Sequence, residues 1–232
     1  MKSLIAIALA SLAFAACSTP SAYTERKFLE GEPDPALKAK DIFDALKRND
    51  TLEKQGVNKA TGEKTTWNTN VEISLAPFTP PLLAARAREE IEEKAFKERW
   101  DEKKKAAEMK AFLAKRKGGK GEQCFDMQID FSDSGGVTGV APAELELKTW
   151  YAKVIQGANS KDLTFDTNPT CLITTTRQAT TYGISTTRRF YCPTTACTKM
   201  ALDLTQPFKV EFDIRYEKDL VPLVLEWKGV KQ

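Results

Sequence analysis

Phe125-Asp126-Met127-Gln128-Ile129-Asp130-Phe131 alternates apolar and polar side chains without a break. Successive side chains of an extended strand point to opposite faces, so Phe125, Met127, Ile129 and Phe131 share one face and three polar residues share the other. A strand with one wet face belongs to an antiparallel sheet. Toward the C-terminus, Val210-Glu211-Phe212-Asp213-Ile214-Arg215-Tyr216 repeats the pattern. Lys218-Asp219 then turns the chain into residues 220–227, where Pro222 points to an edge or a bulge. Residues 147–155 and 190–192 supply further strand candidates. Thirteen threonines lie between residues 164 and 198, a β-branched run that favours strand and would set hydroxyls on its open face. Residues 121–232 are therefore expected to form an antiparallel β-sandwich of about six to eight short strands.

Upstream of Gly118-Gly119 the texture changes from period two to helix. Pro80-Pro81 supply a start and the glycine pair a stop, with good helix formers between them. The spacing predicts one long charged helix over residues 81–117, a rod of about 54 Å if unbroken. Ala84, Ala87, Ile91, Ala95, Ala106, Met109, Phe112 and Leu113 fall on one side of it, and Glu98, Glu102 and Lys105 interrupt that stripe. Phe96, Trp100, Ala107 and Ala111 lie opposite, so a strict heptad seam, the mark of a long regular coiled coil, is absent. The fold class expected is α+β, a long helix followed by the β-domain.

Charge is placed unevenly. The net charge is +3, yet residues 81–120 carry thirteen basic against eight acidic side chains. In the later half of the helix Lys103, Lys104, Lys105, Lys110, Lys115, Arg116 and Lys117 oppose little beyond Glu108. Acid early and base late complements the helix dipole. Two readings follow: a partly solvated helix pinned to the protein body at its apolar ends, or a basic face turned to an anionic surface such as lipid headgroups or cell-wall polymer. Before the helix, residues 17–35 read as a flexible tether. Residues 36–80 hold a short amphipathic helix through Leu37, Ile42, Phe43, Ala45 and Leu46, then a strand near residues 67–75 in which Val71, Ile73 and Leu75 alternate with polar residues.

The N-terminus carries an address. Lys2 gives a short positive region and residues 4–12 an apolar run of signal-peptide length, too short to span a bilayer. Phe14-Ala15-Ala16-Cys17 resembles the lipobox of bacterial lipoproteins, with Phe14 departing from the usual leucine. The resemblance implies that residues 1–16 are removed, that Cys17 carries lipid, and that the chain is anchored outside the cytoplasm. Ser18, where inner-membrane lipoproteins commonly have Asp, implies the outer membrane. Acyl chains anchor strongly, at roughly 0.8 kcal/mol per buried methylene, so no transmembrane helix is needed.

In an exported chain the four remaining cysteines, Cys124, Cys171, Cys192 and Cys197, read as disulfides. Three connectivities exist; Cys192–Cys197 closing a local loop and Cys124–Cys171 joining two strands is the expected one. With no histidine in the chain, Ser-His-Asp and Cys-His catalysis and His-ligated metal sites are excluded. No phosphate loop or GxSxG is present, and Asp130 to Gly135 reads as a polar turn, since Ala141 stands where a calcium loop needs glutamate. Phe190-Tyr191 with Arg188-Arg189 could form a sugar-stacking or anion patch, although a satisfied sheet face is the plainer reading. The function expected is that of a non-catalytic, membrane-anchored envelope lipoprotein without cofactor or metal, whose partners are the membrane through its lipid and an envelope protein or cell-wall polymer, not nucleic acid. The alternative is a binding module for envelope glycan or another small ligand on the Thr-rich β-domain, with a histidine-free enzyme third.

Overall fold

The structure is a computed structural model that describes residues 23–31, 34, 36–57, 64–135, 147–180, 183–216 and 219–230. Among the described residues four α-helices, α1 (Arg26–Glu30), α2 (Ala39–Leu46), α3 (Pro80–Glu98) and α4 (Glu102–Lys117), accompany nine strands. The strands are β1 (Arg48–Val57), β2 (Lys64–Pro77), β3 (Gln123–Gly135), β4 (Tyr151–Gln156), β5 (Asn159–Phe165), β6 (Leu172–Thr180), β7 (Gly183–Thr198), β8 (Phe208–Tyr216) and β9 (Asp219–Trp227).

All nine strands belong to one sheet in the order β1-β2-β3-β7-β5-β4-β8-β9, with β6 on β7, and every ladder is antiparallel. The sheet curls until β9 comes alongside β1: Val224 N–H donates to Asp50 Oδ2 at 2.9 Å, and the Trp227 indole N–H donates to the Leu46 carbonyl at 2.8 Å. The architecture is thus nearly a barrel, and the expected sandwich is corrected. An alternating strand states that one face is buried but not against what; here the face closes on itself. Strands from residues 48–77 and from residues 123–227 share this sheet, so the two segments that read as separate form one core.

The register explains why that core holds. Val71 faces Phe131, Ile73 faces Ile129 and Leu75 faces Met127 across the β2–β3 ladder, so the inward rows of the two strands coincide. Phe125, Phe208 and Trp227 meet inside, the last two stacked at 4.5 Å between ring centroids. A second core lies outside the barrel, where Ala76 and Cys124 point outward because Leu75 and Phe125 point inward. Phe28, Ile42, Phe43, Leu46, Leu82 and Leu83 from the helices cover that outer face.

The predicted rod is two helices folded back on each other. Arg99 adopts φ 52° in the left-handed region, and the Asp101 side chain caps α4 by accepting from Lys104 N–H at 2.7 Å. Folding back brings Ala87 and Ile91 against Phe112, with Trp100, Met109 and Leu113 packed around them. A straight helix would leave both apolar stripes in water, which outweighs the roughly 1–2 kcal/mol of one left-handed residue. Glu98, Glu102 and Lys105, which interrupt the stripe, flank this break.

Both disulfides differ from the expected pairs. Cys124 bonds Cys197 across the β3–β7 ladder and Cys171 bonds Cys192 beside the β6–β7 ladder. Cys192 and Cys197 cannot bond to each other because the stretch between them is strand, not loop. Five residue steps along the strand separate them by about 16 Å and turn them to opposite faces. Pro193 is tolerated there because residues 192–195 fall between the β6 and β5 pairings on one edge of β7. Asp130 to Gly135, read as a turn, continues strand β3. The stretch read as tether also holds structure: Thr24 bridges Val230, and α1 follows immediately.

Candidate functional site

On the outer face of β3 the residues Asp126, Gln128 and Asp130 stand in a row, and the register sets Thr195, Pro193 and Tyr191 of β7 directly opposite them. Helix α3 crosses this floor and brings down Arg86 and, one turn later, Glu90; α4 contributes Arg116. These elements enclose a cleft of about 390 Å³.

Its charges are paired across elements. Arg86 donates from Nε and Nη2 to Asp126 Oδ2 at 3.0 and 2.8 Å, tying α3 to the sheet. Arg116 Nη2 donates to Glu90 Oε2 at 3.3 Å, tying α4 to α3. Both guanidiniums lie near aromatic rings, Arg116 at 3.8 Å from the Phe112 centroid and Arg86 at 5.7 Å from that of Phe43. Asp126 is only 8% exposed, and burial raises its carboxyl pKa even though Arg86 pulls it down. Burial also raises the Tyr191 phenol, with the Asp126 charge adding to the effect. Several groups here have no hydrogen-bond partner among the described residues: Asp126 Oδ1, which is not sealed from solvent, the Tyr191 hydroxyl, the Gln128 amide and the Thr195 hydroxyl. The cleft is a set of converging donors and acceptors around a neutralised charge quartet, a geometry for binding.

The residues singled out from sequence are distributed differently. Lys103, Lys104, Lys110, Lys115 and Lys117 are exposed on α4, and Lys105 is half-buried. Lys104 lies over the Trp100 ring at 4.5 Å. Arg116 leaves this group and turns into the cleft. Phe190 and Tyr191 do not form one patch, because adjacent strand residues face opposite ways: Phe190 packs at 5.6 Å against Phe131, and Tyr191 lines the cleft. Arg188 and Arg189 are exposed. Sequence reasoning missed Arg86, Glu90 and Asp126 as a group. The parity of Asp126, Gln128 and Asp130 was visible, but the docking of α3 onto that face was not. Cys17 and the signal-peptide segment lie outside the described residues. Among the described residues no helix is long and apolar enough to cross a membrane, and no three Cys, Asp or Glu side chains converge as a metal site would require. No protein-family model, curated protein or solved structure matches the chain.

Proposed function

We propose that this chain is a non-catalytic lipoprotein of the bacterial outer membrane, held by lipid on Cys17, that lays the cationic face of α4 on the anionic headgroups of the membrane anchoring it. The observation that carries this reading is the state of α4. Only Phe112 of this helix is buried. Lys103, Lys110, Lys115 and Lys117 are exposed and have no acidic partner among the described residues. Exposed alanines, Ala106, Ala107, Ala111 and Ala114, lie among them, and between residues 103 and 117 Glu108 is the sole acidic side chain.

Tether length supports the same orientation. Cys17 precedes Tyr23, the first described residue, by six positions, about 20 Å of extended chain. Thr24 is fixed by its bridge to Val230, and α1 packs on α3. An anchor at Cys17 would therefore keep the helical layer near the bilayer. Each lysine near an anionic surface contributes about 1 kcal/mol, fading as salt shortens the screening length.

A chain begun at Ser18 keeps every described element and tests the reading. It should bind vesicles containing phosphatidylglycerol at low salt and release at high salt. Gln at positions 103, 110, 115 and 117 should weaken binding by roughly tenfold or more. Salt-insensitive binding, equal binding by the substituted chain, or capture by purified cell-wall polymer but not by vesicles would overturn it.

A further inference from the structure

We propose that the cleft between the α3–α4 hairpin and the β3–β7 floor is a binding site for a neutral pyranose sugar, a hexose or an N-acetylhexosamine unit. This inference stands on different residues from the membrane contact of α4 and does not depend on it.

The charge arrangement sets the class of ligand. Arg86 with Asp126 and Arg116 with Glu90 make two internally neutralised pairs, so an incoming anion meets two carboxylates and an incoming cation two guanidiniums. Asp130 at the end of the row adds a negative charge that further opposes an anion, whereas a neutral ligand hydrogen-bonds to both pairs without separating them. The groups left open are those a polyol engages: Asp126 Oδ1 accepts, the Gln128 amide does both, and the Tyr191 and Thr195 hydroxyls donate or accept. Planar carboxylate, amide and guanidinium groups match the spacing of vicinal hydroxyls, and they are held from behind, Asp126 by Arg86 and Arg116 by Glu90 and the Phe112 ring. Half-buried Tyr191 adds an aromatic face for the C–H side of a sugar ring.

Size and wall composition agree. A volume of about 390 Å³ lies at the low end for small-molecule sites, enough for one or two sugar rings. The walls offer little to an apolar ligand, since beyond Tyr191 and Pro193 every lining residue carries a charged, amide or hydroxyl side chain. Thr195 brings one hydroxyl of the threonine-rich run to this site, while Thr194, opposite the buried Met127, is on the other face of the strand.

The chain begun at Ser18 should be titrated with D-glucose, D-galactose, N-acetylglucosamine and its β-1,4-linked disaccharide, following amide chemical shifts by NMR, with inorganic phosphate as the anion control. The expected result is saturable binding of at least one sugar in the millimolar range, with shifts at Asp126, Gln128, Tyr191 and Thr195 and none from phosphate. Tyr191→Ala should weaken it about tenfold, and Tyr191→Phe, which keeps the ring, by a few-fold only. Gln128→Ala removes an amide that has no hydrogen-bond partner among the described residues and serves as the second variant; it too should weaken binding. No saturable binding of any sugar, binding of phosphate in preference, or sugar binding that neither Tyr191→Ala nor Gln128→Ala weakens would overturn the proposal.

Discussion

At Asp126, burial and pairing act in opposite directions, and burial wins: the folded carboxyl pKa lies above its ordinary value. A raised carboxyl pKa contributes stability that is fully present below the unfolded pKa and is lost as pH rises through the folded one. Asp126→Asn abolishes that titration. The stability advantage of the native chain over Asp126→Asn, measured by urea unfolding, should therefore shrink as pH rises above the ordinary carboxylate range. An advantage that grows as pH rises there would mean that Arg86 outweighs burial. The partner of Asp126 was illegible in the sequence for a simple reason: Arg86 stands forty residues away, and helix docking on a sheet leaves no local periodicity. The cysteines failed differently. Their pairing was readable in principle, since Cys192 and Cys197 are an odd number apart and must face oppositely in a strand, but Pro193 and its threonines looked like a loop.

At the scale of elements, the alternation of β3 and β8, the amphipathic stretch of α2 and the start and stop of the helical segment were all legible, because each is a local pattern. The interior of that segment was not. Trp100-Asp101 lies among good helix formers, and an N-cap aspartate is indistinguishable from an ordinary surface acid until the chain turns back. Two substitutions separate the hairpin from the rod. Arg99 has left-handed φ, so Arg99→Gly should leave stability unchanged or raise it by up to about 1 kcal/mol, whereas a glycine inside a continuous helix would cost about 1 kcal/mol. Asp101→Ala should cost about 1 kcal/mol through the lost cap. Urea denaturation of both variants reads the difference; a destabilising Arg99→Gly with a neutral Asp101→Ala would restore the rod. Strand β1 escaped notice for a related reason: among residues 48–54 Leu52 is the one apolar side chain, so the strand shows little alternation.

At the scale of the whole molecule, the sheet closes around one core while the helices build a second core on its outside, and the cleft exists because these two bodies meet over a polar row of β3. Inward and outward faces could be read from sequence; closure could not, because a sandwich and a barrel both bury one face of each strand. The proposed role adds one further element, the tether. With Thr24 fixed by its bridge to Val230 and Cys17 seven residues before it, about 25 Å away at most, lipid at that cysteine would hold the helical layer near a surface, the placement that the proposed headgroup contact of α4 needs. The mass of the N-terminal peptide of the protein purified from bacterial membranes tests this most directly. The account predicts a chain that begins at Cys17 and carries diacylglycerol or three acyl chains on that residue, with the modified form absent from Cys17→Ala. A mature chain that begins at Met1, or that is cut elsewhere and has an unmodified Cys17, would contradict it.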